Sequence, residues 1–214
     1  MNLYLDIETV GTDDPVVIAE ITASIIPPGN ISKAETITAW EAEKKPALVE
    51  EAIKRTAFDG GLGRIICFGY AFDKRPVESL IATGEPELLA AISGIEAGGL
   101  TTLITIVGHN VSWDVRFLWQ RMVVNNVPVP TWLRVAIKAK PWEAGDTMTM
   151  WNSDRERKVS LAKLCRILGV PTSKCDLDGS KIWDAYRAGE IDRIADYCRG
   201  DVEATRACYL RMTK

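Results

Sequence analysis

Near the amino terminus, "LYLDIETV" (Leu3 to Val10) sets Asp6 and Glu8 two apart inside an apolar run. Side chains alternate along a strand, so Leu3, Leu5 and Ile7 would face one way and Tyr4, Asp6 and Glu8 the other. Two acids packed side by side are opposed by desolvation and by repulsion, and a divalent metal is their natural partner. The spacing alone is a weak sign. The chain holds three Asp-x-Glu triplets, Asp6 to Glu8, Asp154 to Glu156 and Asp201 to Glu203, and most such acids are solvated surface residues. The apolar setting singles out the first.

Two further stretches could supply partners. In "VGHNVSWDVRFL" (Val107 to Leu118) a strand ends at Gly108 and a helix starts near Asp114. Asp114 suits either a functional acid or a helix-start acid aligned with the dipole. His109 is the only histidine, which excludes histidine clusters for metal and marks it as a polar loop or substrate-lining residue. In "DYCRGDVEAT" (Asp196 to Thr205), Tyr197 and Asp201 are four apart and share a helix face. Gly200 between them weakens the helix but removes a side chain from whatever approaches. A packed ring beside a surface acid is the plainer reading of that pair.

The elements that must position these residues follow from periodicity. Strands are expected at Leu3 to Glu8, Val16 to Ile26, Arg64 to Phe72, about Val77 to Ala82, and Thr102 to Val107. Pro27-Pro28-Gly29-Asn30 and Gly60-Gly61-Leu62-Gly63 punctuate them. Helical spacing appears at Pro46 to Ala57, from Glu85 with an early proline, and at Val115 to Asn125, Ser160 to Leu168, Ser180 to Ala188, Ile191 to Cys198 and Val202 to Met212. Strands first and helices later suggest a mixed sheet covered by helices.

Composition narrows the classes. At 214 residues, 47% hydrophobic and 26% charged, the chain suits one globular domain with its own core. Five scattered cysteines without a C-x-x-C pair argue against a disulfide framework or a zinc site. With no apolar signal core or bilayer-length run, the expectation is a cytoplasmic protein without a membrane partner. The formal net charge is -3, yet Arg116 to Lys174 carries eleven basic residues against four acidic ones, a sector that could hold a polyanion locally. Trp132, Trp142 and Trp151 lie within it; each could stack an unpaired base, and packing is the commoner fate of such a ring.

In chain order the motifs read Asp6-x-Glu8 on an early strand, Asn110-x-x-Trp113-Asp114 at a helix start, and Tyr197-x-x-x-Asp201 in a late helix. With "DTMTMW", "SLAKLCRILGV" and "DGSKIWDAYRAGEIDRIADYCRGDVEAT" alongside them, the chain resembles the tyrosine branch of the DEDD superfamily of 3′-5′ exonucleases. It is most similar to the proofreading exonuclease domain of family-B DNA polymerases as found in stand-alone proteins. The resemblance spans nearly the whole chain and implies a single exonuclease domain over residues 1–214. The implied fold is α/β and ribonuclease-H-like, a five-stranded mixed sheet flanked by helices, its first three strands antiparallel.

The resemblance also implies roles. Asp6, Glu8, Asp114 and Asp201 match the four metal-binding carboxylates, Asp6 bridging two divalent ions, Mg²⁺ or Mn²⁺. Glu8 and Asp201 would complete one site, and Asp114 would hold the other partly through water. Tyr197 matches the tyrosine that orients the attacking water, completing the catalytic set; the histidine branch places its residue five before the last acid, where this chain has Asp196. Thr9 falls where the backbone meets the terminal 3′-hydroxyl, Asn110 matches a substrate-contacting asparagine, and His109 is grouped with them as substrate-lining. Trp113, where the family often has phenylalanine or tyrosine, is expected to pack.

The implied activity is release of nucleoside 5′-monophosphates from the 3′ end of single-stranded DNA, DNA being favoured over RNA. No polymerase region is evident, so a proofreading role would need a polymerase, replication or repair partner. The competing readings are a ribonuclease-D-like RNA exonuclease, a nucleic-acid-binding module without catalysis, and an endonuclease or resolvase of related fold.

Overall fold

A computed structural model describes residues 1–95, 104–138, 145–152, 158–172 and 177–214. Strand β1 (Asn2–Val10) leads into three helices, α1 (Pro15–Ser24), α2 (Ala34–Glu43) and α3 (Lys45–Arg55), and a single 3-10 turn, Thr56–Phe58. Then come β2 (Arg64–Phe72), β3 (Glu78–Leu80), α4 (Glu85–Ser93), β4 (Thr105–Val107) and α5 (Val111–Val124). The remainder is helical: α6 (Thr131–Ala136), α7 (Thr147–Asn152), α8 (Leu161–Leu168), α9 (Ile182–Arg187) and α10 (Ile191–Met212).

The sheet runs β3-β2-β1-β4. β1 with β2 and β2 with β3 are antiparallel, and β4 is parallel to β1. The first three strands are thus antiparallel as expected, but the sheet has four strands among the described residues rather than five. At the end of β4, one parallel bridge joins Gly108 to Asp146 without extending into a strand.

β1 lies inside the sheet and buries both faces. Leu3, Leu5 and Ile7 pack with Leu88, Leu89 and Ile92 of α4, with Val115, Leu118 and Met122 of α5, and with Leu133 of α6. On the opposite face, Tyr4 meets Val202 and Tyr209 of α10, and Val10 meets Ile182 of α9 and Ile194 and Cys198 of α10. Burying each large aliphatic side chain contributes about 1.5–3 kcal/mol, so the acid-bearing strand is anchored firmly on both faces. No helix among the described residues is long and apolar enough to cross a membrane.

Several elements differ from the sequence expectation for identifiable reasons. Val16 to Ile26 is not a strand: Asp14 caps α1 by accepting from the Val16 N–H at 2.8 Å, and Pro15 opens the first turn. That local cap overrides the β-branched composition that suggests a strand. α5 begins four residues before Val115 because Asn110, in the left-handed region at φ 64, serves as its N-cap. Ile191 to Met212 is one unbroken helix across Gly200, not two. Helices α2, α6 and α7 were not expected as separate elements.

α10 reaches the sheet closely at one point. Gly69 of β2 pairs with Asp6, and a Cβ there would stand 2.8 Å from Cys198 Sγ and 3.0 Å from Val202 Cγ2. Glycine at this position lets the helix settle beside the acids. Gly69→Val is expected to lower stability by about 1–3 kcal/mol through overpacking, read from urea denaturation; an unchanged midpoint would contradict this tight approach.

Candidate active site

Alternation along β1 puts Asp6 and Glu8 on the face that α10 covers. β4 pairs only with Asn2, Leu3 and Tyr4, so beyond Tyr4 that edge of β1 lacks a strand partner. Asp114, on the first turn of α5, takes up the slack: its Oδ1 accepts from the Ile7 N–H at 3.3 Å. α10 supplies the remaining groups. Cys198 Sγ donates to the backbone oxygen and to Oδ2 of Asp6, both at 3.6 Å, and one ligand atom each of Asp6, Glu8 and Cys198 lie within 4.8 Å of one another. Tyr197 and Asp201 stand a turn apart on α10, close enough for the phenol and the carboxylate to influence each other.

The acids act on one another strongly. Asp6 is pushed up to about 8, first by burial and then by the Asp201 charge, against hydrogen bonds from Cys198 and Glu8. Asp201 is raised to about 6 by burial, opposed by the Tyr197 hydrogen bond. Burial followed by the Asp6 charge holds Glu8 and Asp114 well above the usual carboxylate range. Tyr197 is raised as well, by burial and then by Asp201 and Glu8, and stays a neutral phenol. Burial and neighbouring acids, rather than any lysine or arginine, are the leading influences that raise these four acids. An oxygen-rich, uncompensated cluster of this kind fits hard divalent cations, with Asp6, Glu8, Asp114 and Asp201 as the groups that could hold them.

The structure therefore brings Asp6, Glu8, Asp114, Tyr197 and Asp201 together, and places the softer candidates around them. Thr9 follows a register shift after Glu8, and its hydroxyl donates to the Ala57 carbonyl at 2.8 Å. Asn110 donates its backbone N–H to Asp146. Both nitrogens of His109 are engaged within the protein, Nδ1 with the Thr147 hydroxyl at 2.9 Å and Nε2 with the Val159 carbonyl at 2.8 Å. Burial lowers the His109 pKa, so the imidazole is a neutral brace between the β4–α5 loop and the following segments. Trp113 packs against Phe117, ring centroids 5.1 Å apart.

Sequence reasoning overlooked Asp146. Only 1% exposed, it accepts from the N–H groups of Asn110, Met148 and Thr149 through Oδ1, while its Oδ2 has no partner among the described residues. It ties the Asn110 turn to α7, and its position immediately before "TMTM" is an N-cap signature that could have revealed it.

The basic sector is only partly available as a surface. Arg121 is buried, its Nη2 2.7 Å from Glu85 Oε2 and its Nη1 3.3 Å from the Gly60 and Gly61 carbonyls. Trp132 is buried in the core beside Phe68, whereas Trp151 is 41% exposed. Trp142, Lys140, Glu143, Arg155, Arg157, Lys174 and Cys175, and the Asp154 to Glu156 triplet, lie outside the described residues.

Because the folded-state values of Asp6 and Asp201 lie above the unfolded carboxylate value of 3.8, folding favours their protonated forms. The stability they contribute is complete below that value and is lost as pH rises through about 6 and then about 8. Without divalent ions, the melting temperature is expected to fall across this window. Asp6→Asn should recover about 3 °C or more at the alkaline end; a flat profile in the parent protein would contradict the crowding of these charges.

Comparison with known proteins identifies a family for the chain. No curated protein matches the chain. One protein family does, described as predicted 3′-5′ exonucleases related to the exonuclease domain of PolB, over residues 99–214. The matched segment contains Asp114, Tyr197 and Asp201, while Asp6 and Glu8 lie ahead of it. The resemblance read from the motifs is thus matched over the second half of the chain, where α5 and α10 carry three of the five clustered residues. With more than half its length matched, the chain belongs to the family of predicted 3′-5′ exonucleases related to the exonuclease domain of PolB.

Proposed function

We propose that the protein is a divalent-metal-dependent exonuclease that removes nucleoside 5′-monophosphates from the 3′ end of single-stranded DNA. The observation that carries this reading is the gathering of four carboxylates from three elements, Glu8 and Asp114 buried and Asp6 and Asp201 half-buried, with burial and neighbouring acids the leading influences on them. Exonuclease domains of this kind generally use divalent metals and act on nucleic acid. Mg²⁺ or Mn²⁺ held by Asp6, Glu8, Asp114 and Asp201 would supply charge stabilisation for the entering and leaving oxygens at the last phosphodiester.

The chain's own residues do the rest. Asp6 lies between the other acids: Asp201 is the leading charge raising it, and it is itself the leading charge raising Glu8 and Asp114. That central place suits a bridging ligand. Tyr197 stays protonated across the working pH range, so it orients a water through its hydroxyl rather than removing a proton. With Thr9 fixed to Ala57, the β1 backbone would meet the terminal sugar, and Asn110, at the start of α5 beside Asp114, would contact the substrate. Next to Ala57, Phe58 stands 75% exposed on the 3-10 turn and offers a ring on which an unpaired base can stack, worth about 1–3 kcal/mol per base.

Digestion of 5′-labelled linear and circular single-stranded DNA, and of linear RNA, tests this with Mg²⁺ or Mn²⁺ supplied. Linear DNA should shorten from its 3′ end and circles should survive. Asp6→Ala and Asp201→Ala should abolish hydrolysis. Tyr197→Phe should lower turnover about ten- to hundredfold with metal binding retained, and Phe58→Ala should mainly raise KM. Cut circles would indicate an endonuclease, faster loss of RNA a ribonuclease-D-like enzyme, and binding without cleavage an inactive module.

A further inference from the structure

A second concavity, of about 810 Å³, lies between the amino-terminal helices and α9, within the roughly 300–1,000 Å³ typical of small-molecule sites. We infer that it is a nucleotide-binding subsite taking a nucleobase together with its phosphate. The inference rests on the exonuclease reading for its biological use, but not for its chemistry.

Two planar cation-aromatic pairs form one wall. The Arg187 guanidinium lies 5.9 Å from the Trp183 ring, and that of Arg64 lies 5.7 Å from the Tyr186 ring. Trp183, Tyr186 and Arg187 are spaced to share one face of α9, and all three line the cavity. Aromatic rings and guanidinium planes are the surfaces on which unpaired bases stack.

The phosphate has ready partners. Lys45 lines the opposite wall and makes no ion pair among the described residues. Arg187 pairs with Glu50 at 3.7 Å, both side chains 60% or more exposed, whereas Arg64 is 19% exposed, pairs with Asp13 at 2.6 Å and donates to the Tyr186 hydroxyl at 3.2 Å. The exposed Arg187–Glu50 pair contributes only about 0–1 kcal/mol, and a phosphate presented to Arg187 in bidentate fashion can displace it, with Arg64 adding a fixed positive charge beside it.

The cavity is fixed to the strand that carries the metal-binding acids. Thr12 and Asp13, just past the end of β1, line it. A Cβ on Gly11 would meet the Ile53 carbonyl oxygen at 2.3 Å and the Trp183 ring at 3.0 Å, so the strand's exit is clamped between α3 and α9. Glu8 and Thr12 are four residues apart, at most about 14 Å of chain, a span that a few nucleotides cover. Asp13, Lys45, Glu50 and Arg64 all precede the family-matched segment, so most of this site belongs to the chain's own amino-terminal half.

The same chemistry admits an internal nucleotide of the bound strand or a free nucleoside monophosphate. The test compares the parent protein with a Lys45→Ala/Arg187→Ala double variant, neither residue belonging to the catalytic group. Steady-state hydrolysis of a dinucleotide and of a dodecamer is measured alongside calorimetric titration with dAMP in the absence of divalent ions. A KM for the dodecamer raised about tenfold, with kcat and dinucleotide kinetics unchanged, assigns the site to the strand. Saturable dAMP binding that the variant loses, with dodecamer kinetics unchanged, assigns it to free nucleotide. If neither quantity moves, the subsite is overturned. If the parent cuts nothing, the exonuclease reading fails separately, and the dAMP titration alone decides the subsite.

Discussion

Asp6, Glu8, Asp114 and Asp201 come from β1, α5 and α10 and are held together against their mutual repulsion by apolar packing on both faces of β1. Separately each acid would gain by reaching water; together they raise one another's proton affinity. The core must supply what the site withholds. Leu3, Leu5 and Ile7 lock one side of the strand to α4, α5 and α6, while Tyr4 and Val10 lock the other to α9 and α10. A cation between the acids turns that repulsion into attraction, so the same packing that costs the metal-free protein stability prepares the metal-loaded one.

Polar contacts refine what the apolar packing sets up. Asp114 is held to the Ile7 N–H, which the short β4 leaves beyond its reach, so the early end of a strand becomes a mounting point for a functional acid. Asp146 and His109 brace the loop that leads into α5. Arg121 and Glu85 do the same for the turn after α3, since the guanidinium meets the Gly60 and Gly61 carbonyls and the carboxylate accepts from the Ile65 N–H. Phe58 projects from that braced region, so its ring is exposed on a stiff support.

The sequence made the site easier to read than the fold around it. Strand alternation places Asp6 and Glu8 on one face, and helical spacing places Tyr197 and Asp201 on another, because both periodicities are local. Arg64 to Phe72 is legible for the same reason, its run of Ile, Phe and Tyr needing no distant partner to declare a strand. The first turn of α1 shows the limit: "PVVIAEITAS" suggests a strand by composition, and only the Asp14–Pro15 cap ahead of it decides for a helix. What could not be read was contact between segments far apart in the chain. Gly69 is unremarkable until Cys198 lies against it, and the cavity beside α9 exists only because helices from the first quarter of the chain fold across it.

The central claim is that the four carboxylates form one metal centre. Anomalous diffraction from crystals soaked with Mn²⁺ and a nucleoside 5′-monophosphate tests it most directly. The account predicts manganese peaks between Asp6, Glu8, Asp114 and Asp201, with the phosphate of the nucleotide beside them and Tyr197 facing it. Manganese bound elsewhere, with these acids left protonated and hydrogen-bonded to one another, would contradict it.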